Sequence, residues 1–557
     1  MTQMPPPPPP PLTDESPSIL AVQEKAWRSR EARMQRIVAA WETRVKKASK
    51  KPAAQKATAA QPKVQVKQTM IPSWREKWPK QFPSRSSVRK DTYFDLENGR
   101  AAGLADFCRK KCVDAEAFYV VDVGCVEKLF RGFTEALPRV RPYYAVKCFP
   151  NVEIVKTLAA LGAGFDCASR AEADLAHKIL PADDKGRIIF ANPCKRLSDV
   201  EFIAKNGDTV PFTTFDSVCE INKIADAIKK LPKRAKSVGL VLRIRADDPQ
   251  SRLPFGAKYG ATLEEIPELL KQAKLRDLKV VGVSFHVGSG ARTADAYRAA
   301  VKAARNVKVD EWKMLDVGGG MCGDFDELGL PRLTASGDAT LPRVLNESLE
   351  EFFPASEFPS LQIIAEPGRY FAEASAALCA KIIGKRSRPQ EDHFWISDGV
   401  YGAFNAILYD AWLPHAVVLA FPSSSSSSSR NTSSSEDTKT PIEKKKNTEK
   451  NESPLVDDLE EKNSKKVSIF GPTCDSLDMV FHDLTEVPLS LDVGSWLLFP
   501  NCGAYTHAGA TNFNGIPACD FPVFYVRSKS MAITNTDRTL NVLYGKKPPA
   551  EIVRYFD

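Results

Sequence analysis

The sequence predicts an α/β protein built from a (β/α)₈ barrel and a C-terminal β domain. Apolar segments alternate with amphipathic helical segments over roughly 230 residues, which is the size of such a barrel. After Tyr370 the helical periodicity fades, and the remaining apolar segments have strand character. We therefore expect the barrel at 123–372 and the β domain at 373–557, with residues 91–122 joining the β domain from the other end.

Eight apolar segments rich in β-favouring residues are the predicted barrel strands. In chain order they are Tyr143–Val146, Gly164–Asp166, Arg187–Ala191, Pro211–Phe215, Val238–Arg245, Val280–His286, Met314–Val317 and Leu361–Glu366. Segments such as Glu172–Ile179 and Leu263–Leu275 have the periodicity of the intervening helices. The strands predicted for the β domain are Leu378–Ile383, Phe394–Ile396, Val467–Phe470, Trp496–Phe499 and Phe521–Val526.

Two segments do not fit a folded core. Residues 1–90 form a basic leader in which the run Pro5–Pro11 should be extended and Ser18–Ser49 has the pattern of one amphipathic helix. This helix fits a solubilising leader better than attachment to an acidic membrane surface. The second segment is an insertion at 422–466, which starts with the serine run Ser423–Ser429 and has few apolar residues. Since neither segment can bury a core, we expect both to be largely disordered.

Charge and cysteine content exclude several classes of protein. Residues 1–90 carry 19 Lys and Arg against 6 Asp and Glu, whereas the whole chain has a net charge of +9, so residues 91–557 are mildly acidic. The overall charge therefore does not indicate nucleic-acid binding. No apolar run predicts a transmembrane segment, and residues 1–10 do not resemble a secretory signal. The twelve cysteines lack a short-spaced framework, so we expect a cytoplasmic protein with free thiols.

Polar residues at successive strand ends predict the position of an active site. In a (β/α)₈ barrel the reactive residues lie just past the C-terminal ends of the strands. The candidates, in chain order, are Lys147, Asp166, Asn192, Arg243, His286, Gly318–Gly320 and Glu366. Lys147 should lose hydration at the end of a buried strand, which would lower its pKa and let the neutral amine form a Schiff base.

Three of these positions suggest what the site binds. The glycines Gly318–Gly320 let backbone N–H groups approach an anion, so we expect a phosphate site there, with Ser289 and Arg369 contributing. Glu366 suits a place beneath the ring nitrogen of a pyridine cofactor. His286 taken alone could be a buried core histidine, which is the commoner fate of a single buried histidine. No His/Cys cluster has metal-ligand spacing, and we expect no metal site.

Ten motifs in this chain resemble those of the eukaryotic ornithine decarboxylases. They are Tyr144–Lys147, Gly164–Ser169, Ala191–Cys194, His286–Gly290, Asp316–Gly320, Glu366–Tyr370, Asp398–Gly402, Leu408–Asp410, Gly471–Asp475 and Gly503–Tyr505. The resemblance covers residues 91–557 apart from the insertion. It implies a homodimeric pyridoxal 5′-phosphate enzyme with an alanine-racemase-like barrel. The implied reaction converts L-ornithine to putrescine and carbon dioxide, the first step of polyamine biosynthesis.

The resemblance also implies how the barrel residues hold the cofactor. Lys147 would bind it as a Schiff base, His286 would stack on its ring, and Glu366 would bind the pyridine nitrogen. Asp166 and Arg243 would support this arrangement. The residues around the phosphate would be Ser289, Gly320, Gly368, Arg369 and Tyr505, and Gly318, Gly319 and Pro367 would also bind the cofactor.

Residues outside the barrel are implied to bind substrate and a second subunit. Asp410, preceded by Tyr409, and Asp475 would bind the distal ammonium of ornithine, and Cys474 would protonate the α carbon. Cys474 and Asp475 would reach the active site of the partner subunit. Lys258 and Asp478 would form an ion pair across the interface, and an antizyme-like regulator is a further candidate partner.

Two alternative functions stay open at this point. The first is a sister decarboxylase for lysine or arginine, because Ala411 and Trp412 follow Asp410 and could change the preferred length of the substrate. The second is a non-catalytic protein like the antizyme inhibitors. Such a protein would be expected to lose reactive residues, whereas Lys147, Glu366 and Cys474 are all present here.

Overall fold

The computed structural model describes residues 93–94, 115–180, 186–230, 238–246, 248–252, 258–325, 331–335, 338–410, 412, 414, 416–420, 465–484, 491–516, 521–526 and 542–543. All of them belong to one compact unit, Met70–Asp557. The predicted leader at 1–90 and its helix lie outside the described residues. So does the predicted insertion up to residue 464, but Lys466 already begins a strand.

Two strands and a helix precede the barrel. They are β1 (Tyr93–Phe94), β2 (Ala117–Asp122) and α1 (Val123–Ala136). The helix begins directly after β2 because the carboxylate of Asp122 accepts hydrogen bonds from the first free N–H groups, those of Gly124 and Cys125, at 2.9 and 3.2 Å.

Eight parallel strands form a closed barrel, which confirms the predicted (β/α)₈ architecture. The barrel strands are β3 (Val140–Ala145), β4 (Gly164–Cys167), β5 (Ile188–Phe190), β6 (Phe212–Phe215), β7 (Gly239–Arg243), β8 (Val280–Ser284), β9 (Met314–Asp316) and β12 (Gln362–Ala365). Strand β12 closes the ring, because Ile364 lies opposite Arg141 of β3 and opposite Asp316 of β9. A hairpin between β9 and β12, which the sequence did not predict, comprises β10 (Cys322–Phe325) and β11 (Pro331–Thr334).

Helices connect the barrel strands. Those between β3 and β12 are α2 (Val152–Ala160), α3 (Arg170–Ile179), α4 (Leu197–Lys205), α5 (Val218–Lys229), α6 (Ile266–Leu275), α7 (Ala294–Arg305) and α8 (Leu341–Phe352). Polar residues define several of their starts, since the side chains of Asn151, Ser169 and Ser217 accept hydrogen bonds from backbone N–H groups of α2, α3 and α5.

Large side chains fill the barrel interior. Tyr143, Ile189, Val241 and Met314 come from alternate strands and pack together with Ile364. The barrel is therefore a packed core rather than a pore, and a site for small molecules must lie at the strand ends.

A second sheet forms the predicted C-terminal β domain. Two short helices lead to it and lie within it, α9 (Arg369–Ala372) and α10 (Asn405–Tyr409). Its strands are β13 (Ala376–Ser387), β14 (Glu391–Ile396), β15 (Ala416–Ala420), β16 (Lys466–Phe470), β17 (Met479–Leu484), β18 (Trp496–Phe499), β19 (Val523–Val526) and β20 (Val542–Leu543). Strand β2 lies between β13 and β19 in this sheet, so the segment before the barrel contributes to it.

Two further properties bear on the predictions of free thiols and of no transmembrane segment. No helix in the described part of the chain is both long and apolar enough to cross a membrane. The nine cysteines within the described ranges all carry free thiols.

Candidate active site

Lys147 and Asp166 form an ion pair at the C-terminal end of the barrel. Lys147 lies in a short 3₁₀ turn, Val146–Cys148, that directly follows β3, and Asp166 lies in the adjacent strand β4. Lys147 Nζ is 2.5 Å from Asp166 Oδ2. The carboxylate is fully buried, whereas 41% of the lysine side chain is exposed. The sequence therefore placed both residues correctly at strand ends, and the structure brings their charged groups together.

The expected direction of the Lys147 pKa was wrong. Burial alone lowers the pKa of this amine, as the sequence suggested. Asp166 opposes the effect of burial most strongly, Tyr505 and Glu366 add to it, and together these groups raise the pKa above its usual value. Lys147 is therefore held as an ammonium at neutral pH, with Asp166 as its counter-ion.

Glu366 shares its surroundings with a second carboxyl group, that of Asp316. Glu366 directly follows β12 and Asp316 ends the neighbouring strand β9, and the two buried carboxyl groups lie close enough to influence each other's pKa. Burial raises the pKa of Glu366 well above its usual range, and the negative charges of Asp166 and Asp316 raise it further. Burial likewise raises the pKa of Asp316 to about 7. The two carboxyl groups can therefore share a proton at neutral pH.

Asp316 was not among the predicted site residues. It lies inside one of the motifs that carry the family resemblance, and its position at the end of a barrel strand was a signal that could have identified it. Its Oδ1 accepts a hydrogen bond from the N–H of Gly318 at 2.9 Å. Asp316 therefore connects the carboxyl pair to the glycine segment.

His286 is a neutral imidazole at this end of the barrel. Burial lowers its pKa well below the usual value, and the positive charges of Arg243 and Lys147 lower it further. Its Nδ1 accepts a hydrogen bond from the N–H of Gly288 at 3.0 Å. A Cβ on Gly319 would lie 2.9 Å from the other ring nitrogen, so Gly319 allows the backbone to approach the imidazole closely.

An arginine, a serine and a tyrosine form a cradle for an anion. Arg369 begins α9 and donates from Nε and Nη2 to Ser289 Oγ at 3.0 and 3.1 Å. Its guanidinium carbon lies 4.7 Å from the centre of the Tyr505 ring. Gly320 has a positive φ of 93°, and a Cβ there would lie 2.3 Å from the carbonyl oxygen of Gly288. The structure thus brings together residues that the sequence analysis assigned to a phosphate site, and phosphate binding by them stays a prediction.

Tyr505 reaches this cradle from the part of the chain that follows β18. Its backbone N–H donates to the carbonyl oxygen of Cys148, next to Lys147, at 3.0 Å. Its φ is 58°, a left-handed backbone conformation that is uncommon for a tyrosine. The site therefore includes a residue from outside the barrel, which only the family resemblance had predicted.

Asp410 is buried against the same arginine. It directly follows α10, and its Oδ1 is 2.5 Å from Arg369 Nη2. Its Oδ2 is 3.5 Å from Nη1 of Arg252, a residue that the sequence analysis did not select. The neighbouring Tyr409 is 72% exposed. The structure thus places Asp410 beside the anion cradle rather than in an isolated acidic cleft.

Cys474 and Asp475 lie in a loop that follows β16. Cys474 is exposed, and its Sγ accepts a hydrogen bond from Asn514 Nδ2 at 3.3 Å. The carboxylate of Asp475 accepts hydrogen bonds from the hydroxyl of Tyr401 and from the N–H of Leu477. Among the described residues, these two side chains therefore contact Asn514, Tyr401 and Leu477 of the same chain and not Lys147.

Asp478 has an internal role in this loop. It is 1% exposed, and its carboxylate accepts hydrogen bonds from the N–H groups of Val400 and Thr473 at 2.8 and 2.9 Å. Lys258 lies elsewhere, with its Nζ 5.0 Å from the centre of the Tyr259 ring. The ion pair between Lys258 and Asp478 of two subunits stays a prediction, and the structure adds that Asp478 holds the loop before Cys474.

These groups fit a flat pyridine cofactor that carries an aldehyde and a phosphate. Lys147 supplies the amine, the carboxyl pair suits a ring nitrogen, and the neutral imidazole suits the face of a ring. Arg369 and the glycines suit the phosphate. The buried Oδ1 of Asp166 accepts no hydrogen bond from the described residues, so it is available to a further donor in this site.

Comparisons with known proteins agree with this fit. Residues 123–373 match the family described as "Pyridoxal-dependent decarboxylase, pyridoxal binding domain". A chloroplastic ornithine decarboxylase of Nicotiana glauca is 40% identical over 410 residues, covering 72% of this chain and 82% of the relative. Antizyme inhibitor 2 of Xenopus laevis is 36% identical over 435 residues, covering 75% of this chain and 82% of the relative.

A solved structure shows the same architecture. It is the arginine decarboxylase of Paramecium bursaria Chlorella virus bound to agmatine, with a TM-score of 0.61 and 30% identity, and the match covers 76% of this chain and all of the viral protein. The fold and the relatives confirm the family resemblance found in the sequence. The chain therefore belongs to the pyridoxal-dependent decarboxylase family, and its cofactor is pyridoxal 5′-phosphate.

Proposed function

We propose that this protein decarboxylates L-ornithine to putrescine and carbon dioxide, the first step of polyamine biosynthesis. The observation that carries the proposal is the cluster of Lys147, Asp166, Asp316 and Glu366 at one end of the barrel. Three acids around one lysine are costly to bury, and a protein that only bound a regulator would not need them. The relatives named ornithine decarboxylase favour ornithine as the substrate.

The cluster accounts for the roles that the chain must perform. When bound, pyridoxal phosphate supplies an electron-withdrawing ring that accepts the electron pair left by the departing carbon dioxide. Glu366 and Asp316 hold a proton at the ring nitrogen, which sustains that withdrawal. His286, being neutral, adds no positive charge against the ring. Arg369 and Ser289 hold the phosphate and so fix the orientation of the ring.

Two acidic residues would favour a substrate with a second ammonium. Oδ2 of Asp410 lies 3.5 Å from Arg252 Nη1 but accepts no hydrogen bond from the described residues, so we propose that a distal ammonium would bind this oxygen. Asp475 is the second carboxylate proposed for that group, and a neutral side chain would form no ion pair with either carboxylate. Ala411 and Trp412 border this region in sequence, so lysine is the alternative substrate that most needs testing.

We also propose that the enzyme is a homodimer whose subunits share their active sites. Cys474 would donate a proton to the α carbon of the substrate. Its exposed thiol contacts Asn514 of its own chain, and a second copy would place it against Lys147. An antizyme-like regulator is proposed as a further partner, on the strength of the relative named antizyme inhibitor.

A substrate panel tests the reaction. Purified protein with added pyridoxal phosphate is assayed for carbon dioxide release from ornithine, lysine, arginine and diaminopimelate, and ornithine is expected to have the highest kcat/KM. Preference for another amino acid would refute the proposed substrate. Borohydride should trap the cofactor on Lys147. K147A is the negative control, and K156A, which replaces a partly exposed lysine on α2, is the matched control that should still be trapped. Failure to trap it would favour a non-catalytic regulator.

Mixing two inactive variants tests the shared site. Measured as putrescine formation, K147A and C474A should each be inactive alone. Random reassociation would give half of the dimers one intact site of two, so activity should return to about a quarter of the wild-type level. No recovery, under conditions where a tagged pair shows subunit exchange, would refute the shared site.

We propose a cytoplasmic location because free thiols suit a reducing compartment. The Nicotiana relative is named chloroplastic, so the proposal needs a direct test. Fractionation of cells that express the full chain with a C-terminal tag should recover it in the cytosolic fraction, and recovery in an organelle would contradict this.

A further inference from the structure

Asn514 contacts the thiol of Cys474 and has no role in the function described so far. Its Nδ2 donates to Sγ at 3.3 Å, and the two residues are 40 positions apart in the chain. Asn514 lies outside the motifs that carry the family resemblance, so the sequence did not identify it. A side-chain amide aimed at an exposed thiol is a specific arrangement that calls for an explanation.

The segment that carries Asn514 is attached to the residue that holds Asp475. The N–H and Oγ1 of Thr511 donate to the carbonyl oxygen of Tyr401 at 2.8 and 3.1 Å. The ring of Phe513 stacks on the ring of Tyr401 with 4.1 Å between centroids and 19° between planes. The Tyr401 hydroxyl in turn donates to Asp475. The segment 511–514 and Tyr401 therefore pack together and contact both Cys474 and Asp475, the residues that are proposed to reach the partner's site.

The backbone at Asn514 restricts which residues fit there. Its φ is 56° and its ψ is 15°, and the next residue, Gly515, has a φ of 71°. Glycine adopts this left-handed conformation freely, and asparagine and aspartate adopt it more readily than other residues. Glycine would therefore satisfy the backbone, whereas asparagine also provides a hydrogen-bond donor for the thiol.

We propose that Asn514 positions the Cys474 thiol for proton donation. Since Sγ accepts a hydrogen bond from Asn514, its own S–H must point in another direction. When the substrate α carbon takes the proton, the S–H bond breaks, a C–H bond forms, and the electron pair stays on sulfur. The amide N–H then stabilises the thiolate by a stronger, charge-assisted bond until solvent returns a proton. This inference rests on the proposed function, in which Cys474 is the acid.

Thiol alkylation tests the contact without any turnover. The rate of Cys474 modification by iodoacetamide is measured against pH in full-length protein, and the labelled peptide is identified by mass spectrometry. N514G keeps the backbone conformation and removes the amide, and N514D replaces the donor by a carboxylate of the same shape. Loss of one hydrogen bond to a charged group should move the profile of N514G about one pH unit higher, and that of N514D further.

A matched control uses the neighbouring asparagine. N512A removes an exposed side chain from the same segment, and its alkylation profile should coincide with that of the wild type. A wild-type profile in N514G would overturn the inference, because N514G changes the amide while leaving the backbone free to adopt its φ.

The products formed from ornithine test the catalytic consequence. A proton delivered to the α carbon gives the diamine. A proton delivered to the cofactor instead would leave the amino nitrogen on the cofactor, and water would then supply the oxygen of an aldehyde product. The fraction of the product that is aldehyde should rise at least several-fold in N514G and N514D and stay unchanged in N512A. A wild type that releases no carbon dioxide overturns the proposed function and this inference with it. An active wild type whose N514G variant matches it in both readouts overturns the inference alone.

Discussion

Replacing Asp166 with asparagine should make Lys147 a better nucleophile towards the free cofactor. The aspartate holds Lys147 as an ammonium, and an ammonium cannot attack an aldehyde. Asparagine has the same shape and fits the fully buried position of the carboxylate, so the fold should be retained. Without the negative charge, burial lowers the pKa of Lys147 unopposed by its closest counter-ion.

The expected change in the Lys147 pKa follows from the distance between the two charges and from the exposed fraction of the lysine side chain. Two unit charges 2.5 Å apart attract each other by about 1.7 kcal/mol in water and by about 7 kcal/mol at an effective dielectric constant near 20. Because 41% of the Lys147 side chain is exposed, the value for water is the appropriate one. It corresponds to roughly one unit of pKa, and hence to about tenfold more neutral amine at neutral pH.

The assay is the initial rate of borohydride-trapped adduct formation with pyridoxal phosphate, followed by mass spectrometry of the Lys147 peptide from pH 6 to 9. D166N should react about tenfold faster than the wild type throughout this pH range, because the amine stays mostly protonated in both proteins. D174N removes an exposed carboxylate on α3 that pairs with Arg170, and it should leave the rate unchanged. Equal or slower reaction of a correctly folded D166N at pH 7 would show that the ion pair does not control the amine.

Three further substitutions probe the carboxyl pair, the glycine segment and the buried arginine. The pKa of Asp316 is about 7 in the folded protein and about 4 in the unfolded chain, so protonation of Asp316 favours the folded state. This contribution to stability is complete below about pH 4 and is lost as the pH rises through about 7. Between those pH values the Tm of cofactor-free D316N should therefore fall less than that of the wild type, and equal slopes would contradict this. G319A places a Cβ 2.6 Å from the Glu366 carbonyl oxygen and should weaken cofactor binding at least tenfold in equilibrium dialysis, whereas G186A, with its nearest atom at 3.8 Å, should not. R369A removes the closer of the two arginines that pair with Asp410 and leaves the buried carboxylate with only the longer contact to Arg252. It should lower the free energy of unfolding by about 3 kcal/mol in urea, and a loss below 1 kcal/mol would refute this account.

The fold could be predicted from the sequence because its signals are local. Each barrel strand is a short apolar segment bounded by a helix with its own periodicity, and a parallel barrel requires such alternation. The residues at the strand ends, such as Lys147 and Asp166, followed from the same pattern. The hairpin β10–β11 escaped prediction because Cys322–Phe325 and Pro331–Thr334 have little of the apolar alternation of a strand.

The electrostatics of the site could not be predicted in this way. The pKa of Lys147 depends on Asp166, Glu366 and Tyr505, which come from three distant segments, and the local argument included none of them. Arg252 and Asn514 escaped for the same reason, since each matters through one partner far away in sequence. Tyr505 was identified by family resemblance alone, because no periodicity connects it with the barrel.

The place of β2 in the second sheet has a consequence for the order in which the protein folds during synthesis. Val121 pairs with Ala376, and Tyr119 pairs with Val523, so β2 leaves the ribosome long before either neighbour exists. Its side chains are all buried in the finished protein, which makes the lone strand a target for aggregation or chaperone capture while the barrel is being translated. Once β13 arrives, the N–H of Asp122 bonds to the carbonyl oxygen of Ser375 at 2.7 Å, and the two ends of the barrel are fastened together. Nascent chains that are released before β13 has been translated should therefore be the most sensitive to proteases. A barrel expressed without β2 and β13 should unfold locally from its two termini.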